Sequence, residues 1–174
     1  MAIILDGTAG ITTPDITSTT STLGTLTQAL NLGSTGQIVF PATQSASANA
    51  NTLDDYEEGT WTPSFTCTGT ITTQSGSGRY TKVGDTVILT GTVTVAVWGS
   101  VSGSVTVNGM PFTTADKFTA SGVETAVNGK ACVGREVSTG ATSFTFMYYD
   151  NSALANTQGN GTNFIFSATY RTTQ

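Results

Sequence analysis

Four carboxylates lie within five residues, Asp54, Asp55, Glu57 and Glu58, with Tyr56 between the two pairs. Clustered acids can do two kinds of chemistry. A carboxylate pair can hydrolyse glycosides, and retaining enzymes hold theirs about 5 Å apart. Asp55 and Glu57, two apart on a strand, would share one side at a separation of that order. A catalytic pair is normally assembled from different strands around a cleft, however, so no catalytic residue is expected here. The second possibility is a hard cation such as calcium held on oxygen ligands, which makes Asp54, Asp55, Glu57 and Glu58 the candidate metal site. Their spacing is not that of an EF-hand loop, and a hydrated acidic knot on the surface is the plainer reading.

Another group of residues has the chemistry to receive sugars. Trp98 begins the loop after a long strand-like run, and Tyr148, Tyr149 and Asp150 begin a second loop. Aromatic rings stack on the C–H faces of a saccharide while neighbouring Asp and Asn groups fix its hydroxyls. The alternative, which the sequence favours, is that these rings cap the ends of the fold or pack between subunits.

Other chemistry is excluded by what the chain lacks. It contains no histidine, which removes the commonest general base, the usual Ser and Cys triads and most transition-metal sites. Gly129-Lys130 has Glu124 where the first glycine of a P-loop would stand, and Gly159-Asn160-Gly161 has Phe164 in place of the third glycine of a dinucleotide fingerprint. Val101 occupies the serine position of a nucleophile elbow in Gly99-Ser100-Val101-Ser102-Gly103. The expectation is a non-enzyme that carries no cofactor.

A net charge of −5 and an isoelectric point near 4.3 leave no electrostatic footprint for a phosphate backbone, so nucleic acid is not an expected partner. No stretch approaches the ~20 apolar residues of a membrane helix. The start, Met1-Ala2-Ile3-Ile4-Leu5-Asp6, lacks a basic n-region, and a soluble chain without a secretion signal is expected. Cys67 and Cys132 show no metal-ligand spacing. Two small buried hydrophobes are the favoured reading and a bridge between them the alternative.

The elements that must position these residues begin at Trp61. Trp61, Pro63, Phe65 and Cys67 alternate; Val87, Leu89, Val93, Val95 and Val97 share a face, with Gly91 interrupting as a bulge or bend would. Val105 and Val107 lead to Asn108-Gly109, a tight-turn signal. Ala131 to Val137 is a weaker strand, and Phe144, Phe146 and Tyr148, then Phe164, Phe166, Ala168 and Tyr170, alternate in two more. Between these runs, Gln74 to Gly78, Gly99 to Gly103, Asn128-Gly129, Thr139-Gly140 and Gly159 to Gly161 read as loops. Short strands at this spacing predict an all-β domain, an antiparallel, jelly-roll-like β-sandwich over residues 64–174, with Trp61, Tyr80, Val93, Phe112 and Phe166 as core anchors.

Residues 1–52 are different material. They hold only Asp6 and Asp15 as charges and Phe40 as an aromatic, too little apolar surface to offset chain entropy alone. Identical copies or a larger assembly would order them. Leu23, Leu26 and Leu30 fall at helical spacing, although Thr22, Thr25 and Thr27 favour an extended alternative. Together with Ile38 and Phe40 they are the candidate contacts of a three-fold axis. Residues 53–63 would then be a charged, hydrated junction.

Ser34-Thr35-Gly36-Gln37-Ile38-Val39-Phe40-Pro41-Ala42-Thr43-Gln44, followed by Leu53-Asp54-Asp55-Tyr56-Glu57-Glu58-Gly59-Thr60-Trp61-Thr62-Pro63, resembles the segment joining shaft to head in tail-fibre and related virion proteins of tailed bacteriophages. Tyr80 to Val87, Ser102 to Phe112 and Phe166 to Arg171 resemble the head domain of the same family in order, with Met110 where Leu is more usual. The resemblance implies a parallel homotrimer in the virion, assembled in the bacterial host cytoplasm, with β-sandwich heads on an extended N-terminal shaft. It implies partners among the other virion proteins, of tail, baseplate or capsid, and attachment to a host-surface glycan or lipopolysaccharide. The shaft is very short, so the expectation is a short tail fibre, with a capsid decoration or cement protein as the alternative and a polysaccharide depolymerase as a third.

Overall fold

The computed structural model describes residues 36, 38–41, 43, 47–49, 51–136, 138–150 and 159–173. The compact unit Val39–Gln174 contains nine strands. They are β1 (Tyr56–Trp61), β2 (Ser64–Thr70), β3 (Thr73–Val83), β4 (Thr86–Val97), β5 (Ser100–Asn108), β6 (Phe118–Glu124), β7 (Ala131–Glu136), β8 (Ser143–Tyr148) and β9 (Thr162–Arg171). Val, Thr and aromatic residues dominate them, the types that pack well on a pleated surface, and no described residue is helical.

All nine strands belong to one antiparallel sheet in the order β1-β3-β4-β9-β6-β7-β8-β5-β2, and this corrects the expected sandwich of two sheets. Alternation along a strand fixes which side is buried, and a single curled sheet produces the same pattern as two flat ones. The curl brings β2, at one edge, beside β3, next to the other. There the Gln74 side chain accepts from Phe65 N at 2.7 Å and donates to Phe65 O at 2.8 Å, as a neighbouring strand's backbone would. The approach is close enough that a Cβ on Gly76 would lie 1.9 Å from Pro63 O.

The concave side holds the core. Phe65, Phe144, Phe146, Phe164 and Phe166 interlock at centroid distances of 5.3 to 6.3 Å, the range in which edge-on and offset rings attract. Val87, Leu89, Val93, Val95, Val105 and Val107 fill the gaps between them. Among the expected anchors, Trp61, Val93 and Phe166 are buried in this cluster, while Tyr80 and Phe112 are half-buried against it and meet edge-on at 5.2 Å. Cys67 and Cys132 are free thiols. Burial pushes the Cys132 thiol up to about 12, which leaves it uncharged and inert at neutral pH.

Several elements differ from expectation for identifiable reasons. Gln74 to Gly78 is part of β3, because its backbone pairs along β4 and its inward glutamine meets β2. Only Trp98 and Gly99 separate β4 from β5, so most of Gly99 to Gly103 is strand. Gly91 is no bulge; the register runs through it unbroken, opposite Phe166. Gly109 turns the chain with φ 89°, but β5 pairs with β8 and not with the next strand. β6 carried no apolar alternation, because two of its four inward positions are Gly122 and Glu124. The stretch 53–63 contains β1, an edge strand paired with β3, where a hydrated junction was expected.

The Trp61 ring packs edge-on to Phe166 at 6.1 Å and donates from Nε1 to Thr90 O at 2.9 Å. Trp61→Ala removes the ring and leaves a cavity. Chemical denaturation should show a loss of about 3–5 kcal/mol; a loss under about 1 kcal/mol would mean that the ring contributes little to the core.

Candidate functional site

On β1 the acidic residues alternate between the two sides of the strand. Tyr56 and Glu58 face outward and their side chains contact each other. Asp55, just ahead of β1, and Glu57 face inward, as the two-residue spacing implied. The hydrated-knot reading fails at Asp55, which is only 1% exposed and forms an ion pair with Lys82, itself buried. Glu57 Oε1 lies 3.7 Å from the same ammonium, and the Phe112 ring lies 5.5 Å from it. The candidate metal ligands are thus divided: Asp54 accepts from Ser47 N at 2.7 Å, Asp55 is held by Lys82, and Glu58 faces away. Among the described residues no three His, Cys, Asp or Glu side chains gather as a cation site.

The sugar-stacking candidates are likewise divided. Trp98 is buried, its Nε1 donating to Thr162 Oγ1 at 2.8 Å and its ring packed on Phe65 and Phe164. Tyr148 is fully buried, accepting from Asn128 Nδ2 at 2.5 Å beneath the Lys130 ammonium. Neither ring offers a face to a ligand, and both act as the caps that the alternative reading foresaw. Tyr149, 70% exposed, and Asp150 remain at the surface. Of the expected trimer contacts, Leu23, Leu26 and Leu30 lie outside the described residues, Ile38 is exposed, and Phe40 is half-buried with its ring 6.0 Å from Tyr56.

Sequence reasoning missed Glu124. Its carboxylate is fully buried at the end of β6 and accepts from the backbone N–H groups of Ala126, Val127, Asn128, Gly129 and Asn163 at 2.6 to 3.3 Å. Burial alone would raise this carboxyl, but the N–H donors, led by Asn128, outweigh it and hold the group below the ordinary glutamate range. Asn128-Gly129, four residues beyond a glutamate, was the available signal; it read as a loop because nothing in the sequence marks a loop as closed around an anion.

The stretch that resembles the shaft-to-head segment of phage fibres and the three that resemble the head domain are far apart in sequence and meet in one cluster. Asp55 pairs with Lys82 beside Phe112. Tyr80 packs on Phe112, and the Tyr170 hydroxyl donates to Phe112 O at 3.2 Å. Gly84 N donates to Asp55 O at 3.0 Å, and Arg171 forms an ion pair with Asp85. All four stretches thus contribute to one cluster.

A groove of about 1020 Å³ crosses the outer side of the sheet over β1, β3, β4, β9 and β6, at the upper end of the roughly 300–1,000 Å³ typical of small-ligand sites. One wall is a single cross-strand row, Thr60, Arg79, Thr90, Ser167 and Ser121. The other contains Ser77, Thr92, Ile165 and Val123. Between them runs an inward-facing row of Trp61, Gly78, Gly91, Phe166 and Gly122. None of the lining residues is acidic.

Among solved structures, the chain is similar to the Dettilon tailspike protein. The likeness has a TM-score of 0.49 at 14% identity and covers 67% of this chain. The chain spans about a quarter of that protein's length, 24%. No family model matches the chain, and no curated protein matches it.

Two predictions follow from the buried charges. Asp55→Asn leaves the buried Lys82 ammonium with only the longer Glu57 contact and should cost about 2–4 kcal/mol in denaturant melts, while the double change Asp55→Leu, Lys82→Met should recover most of that loss. Because the folded-state pKa of Glu124 is depressed, its stabilisation is complete above the ordinary value of 4.5 and is lost as pH falls through the lower folded value. Glu124→Gln should therefore cost about 1–3 kcal/mol at neutral pH and flatten the acid side of the stability profile. An unchanged profile would mean that the loop does not hold the anion.

Proposed function

We propose that this chain is a structural virion protein of a tailed bacteriophage, a short tail fibre whose β head attaches to glycans on the host surface. The observation that carries this reading is the meeting of the junction-like stretch and the three head-like stretches in one packed cluster, with Asp55 from the first and Lys82, Phe112 and Tyr170 from the others. A resemblance spread over separate stretches of sequence thereby corresponds to one three-dimensional unit. In this reading residues 1–52 fix the chain to other virion proteins and to two further copies of itself, and the head works by binding without catalysis. Consistent with that role, the buried ionisable groups Asp55, Lys82 and Glu124 are committed to structural bonds.

Immunogold labelling of particles from the phage that encodes the chain, with an antibody against the head, tests the reading. Label at the tail is the expected result. Label over the capsid would move the chain to the decoration or cement class, and absence from the particle would overturn a virion role.

A further inference from the structure

The outer groove carries one charged side chain, Arg79, and no acidic one. Arg79 stands in its wall, exposed, and has no hydrogen-bond or ion-pair partner among the described residues. In a chain of net charge −5, a guanidinium that forms no ion pair, with Glu58 only diagonal to it on β1, is a local reversal of sign. The guanidinium is planar and presents paired donors, the geometry that matches a carboxylate or phosphate through two parallel hydrogen bonds.

Around it the wall offers hydroxyls. Thr60 and Thr90 flank Arg79 on β1 and β4, and Ser167 and Ser121 continue the row. Neighbouring strands lie about 4.8 Å apart, so a row of five strands is about 19 Å long. That length suits an extended oligomer better than a lone ion. Hydroxyls that both donate and accept match the hydroxyls of a saccharide, and Ile165 and Val123 in the opposite wall give its C–H faces an apolar surface. With the Trp61 and Phe166 rings turned to the core, no aromatic face takes part, so each contact is weak and the anion must supply much of the selectivity.

The geometry points to this groove as the seat of an anionic oligosaccharide, a chain of sugars bearing a carboxylate or phosphate, with Arg79 holding the anionic group and the Thr and Ser row holding hydroxyls. The inference rests on the glycan-attachment reading and assigns that attachment to a particular surface.

The test is a titration of the isotope-labelled full chain, followed by amide chemical shifts, with trigalacturonate, a sialic acid trimer, maltotriose and inorganic phosphate. Expected is a salt-sensitive response to one of the acidic trimers at Ser77 to Arg79, Thr90 to Thr92, Ser121 and Ser167, weakened at least tenfold in Arg79→Gln. Maltotriose and phosphate should bind much more weakly. A response to phosphate equal to that of the acidic trimers would reduce the groove to an anion site and overturn the saccharide. No response to either acidic trimer, shifts elsewhere, or an unchanged Arg79→Gln would overturn the assignment. Adsorption of labelled protein to host cells separates the two readings. Equal adsorption by wild type and Arg79→Gln would sink the groove while leaving attachment standing; no adsorption by a wild type that still binds an acidic trimer would sink attachment and leave the groove.

Discussion

A large ring lying flat against a β-strand needs a neighbour without a Cβ, and most of this head follows from that constraint. Phe166 is opposite Gly91 on one side and Gly122 on the other. A Cβ at Gly91 would come within 2.6 Å of the Phe166 ring, and one at Gly78 within 2.2 Å of Trp61 Nε1. Rings and glycines therefore share one line across five strands, the ring of one strand occupying the space the next leaves empty. Glycine weakens a strand by itself, and the aromatic burial offsets that weakness. On the outer side the same line underlies the groove.

Charge is placed by a related economy. With only 10% charged residues, the chain still buries three among those described, and each is engaged: Asp55 with Lys82 at one end of the sheet, Glu124 with five backbone donors in the β6–β7 loop. A buried ion pair adds little net stability against apolar substitutes, but leaving one member alone is costly. Such groups fix register, since a slip of one residue on β1 would turn Asp55 away from Lys82 and Trp61 out of the core. Glu124 does for its loop what a bound anion does for a phosphate-binding nest, except that the anion is covalently part of the chain.

The all-β class and most strands were legible because period-two patterns such as Phe144-Phe146-Tyr148 and Phe164-Phe166-Ala168-Tyr170 admit little else. The number of sheets was not, because alternation carries no information about curvature. β6 was invisible because its inward positions are shared with Gly122 and Glu124. Among the candidate site residues, the sequence put Asp55 and Glu57 on one side correctly but could not supply Lys82, which comes from another strand. Trp98 and Tyr148 looked available to a ligand because nothing local distinguishes a ring that caps a core from one that faces solvent. The groove left no trace in the sequence, since Thr and Ser occur throughout the chain and only the strand order puts Arg79 among them.

The Gln74 side chain stands in for a strand's backbone where β2 meets β3. Everywhere else neighbouring strands are joined by a ladder several bonds long, whereas this junction depends on one amide group. The sheet is thus curled, with an unladdered seam where β2 meets β3. Local opening takes the path that breaks fewest bonds, and by that rule the seam beside the buried Phe65 is where the sheet would part first.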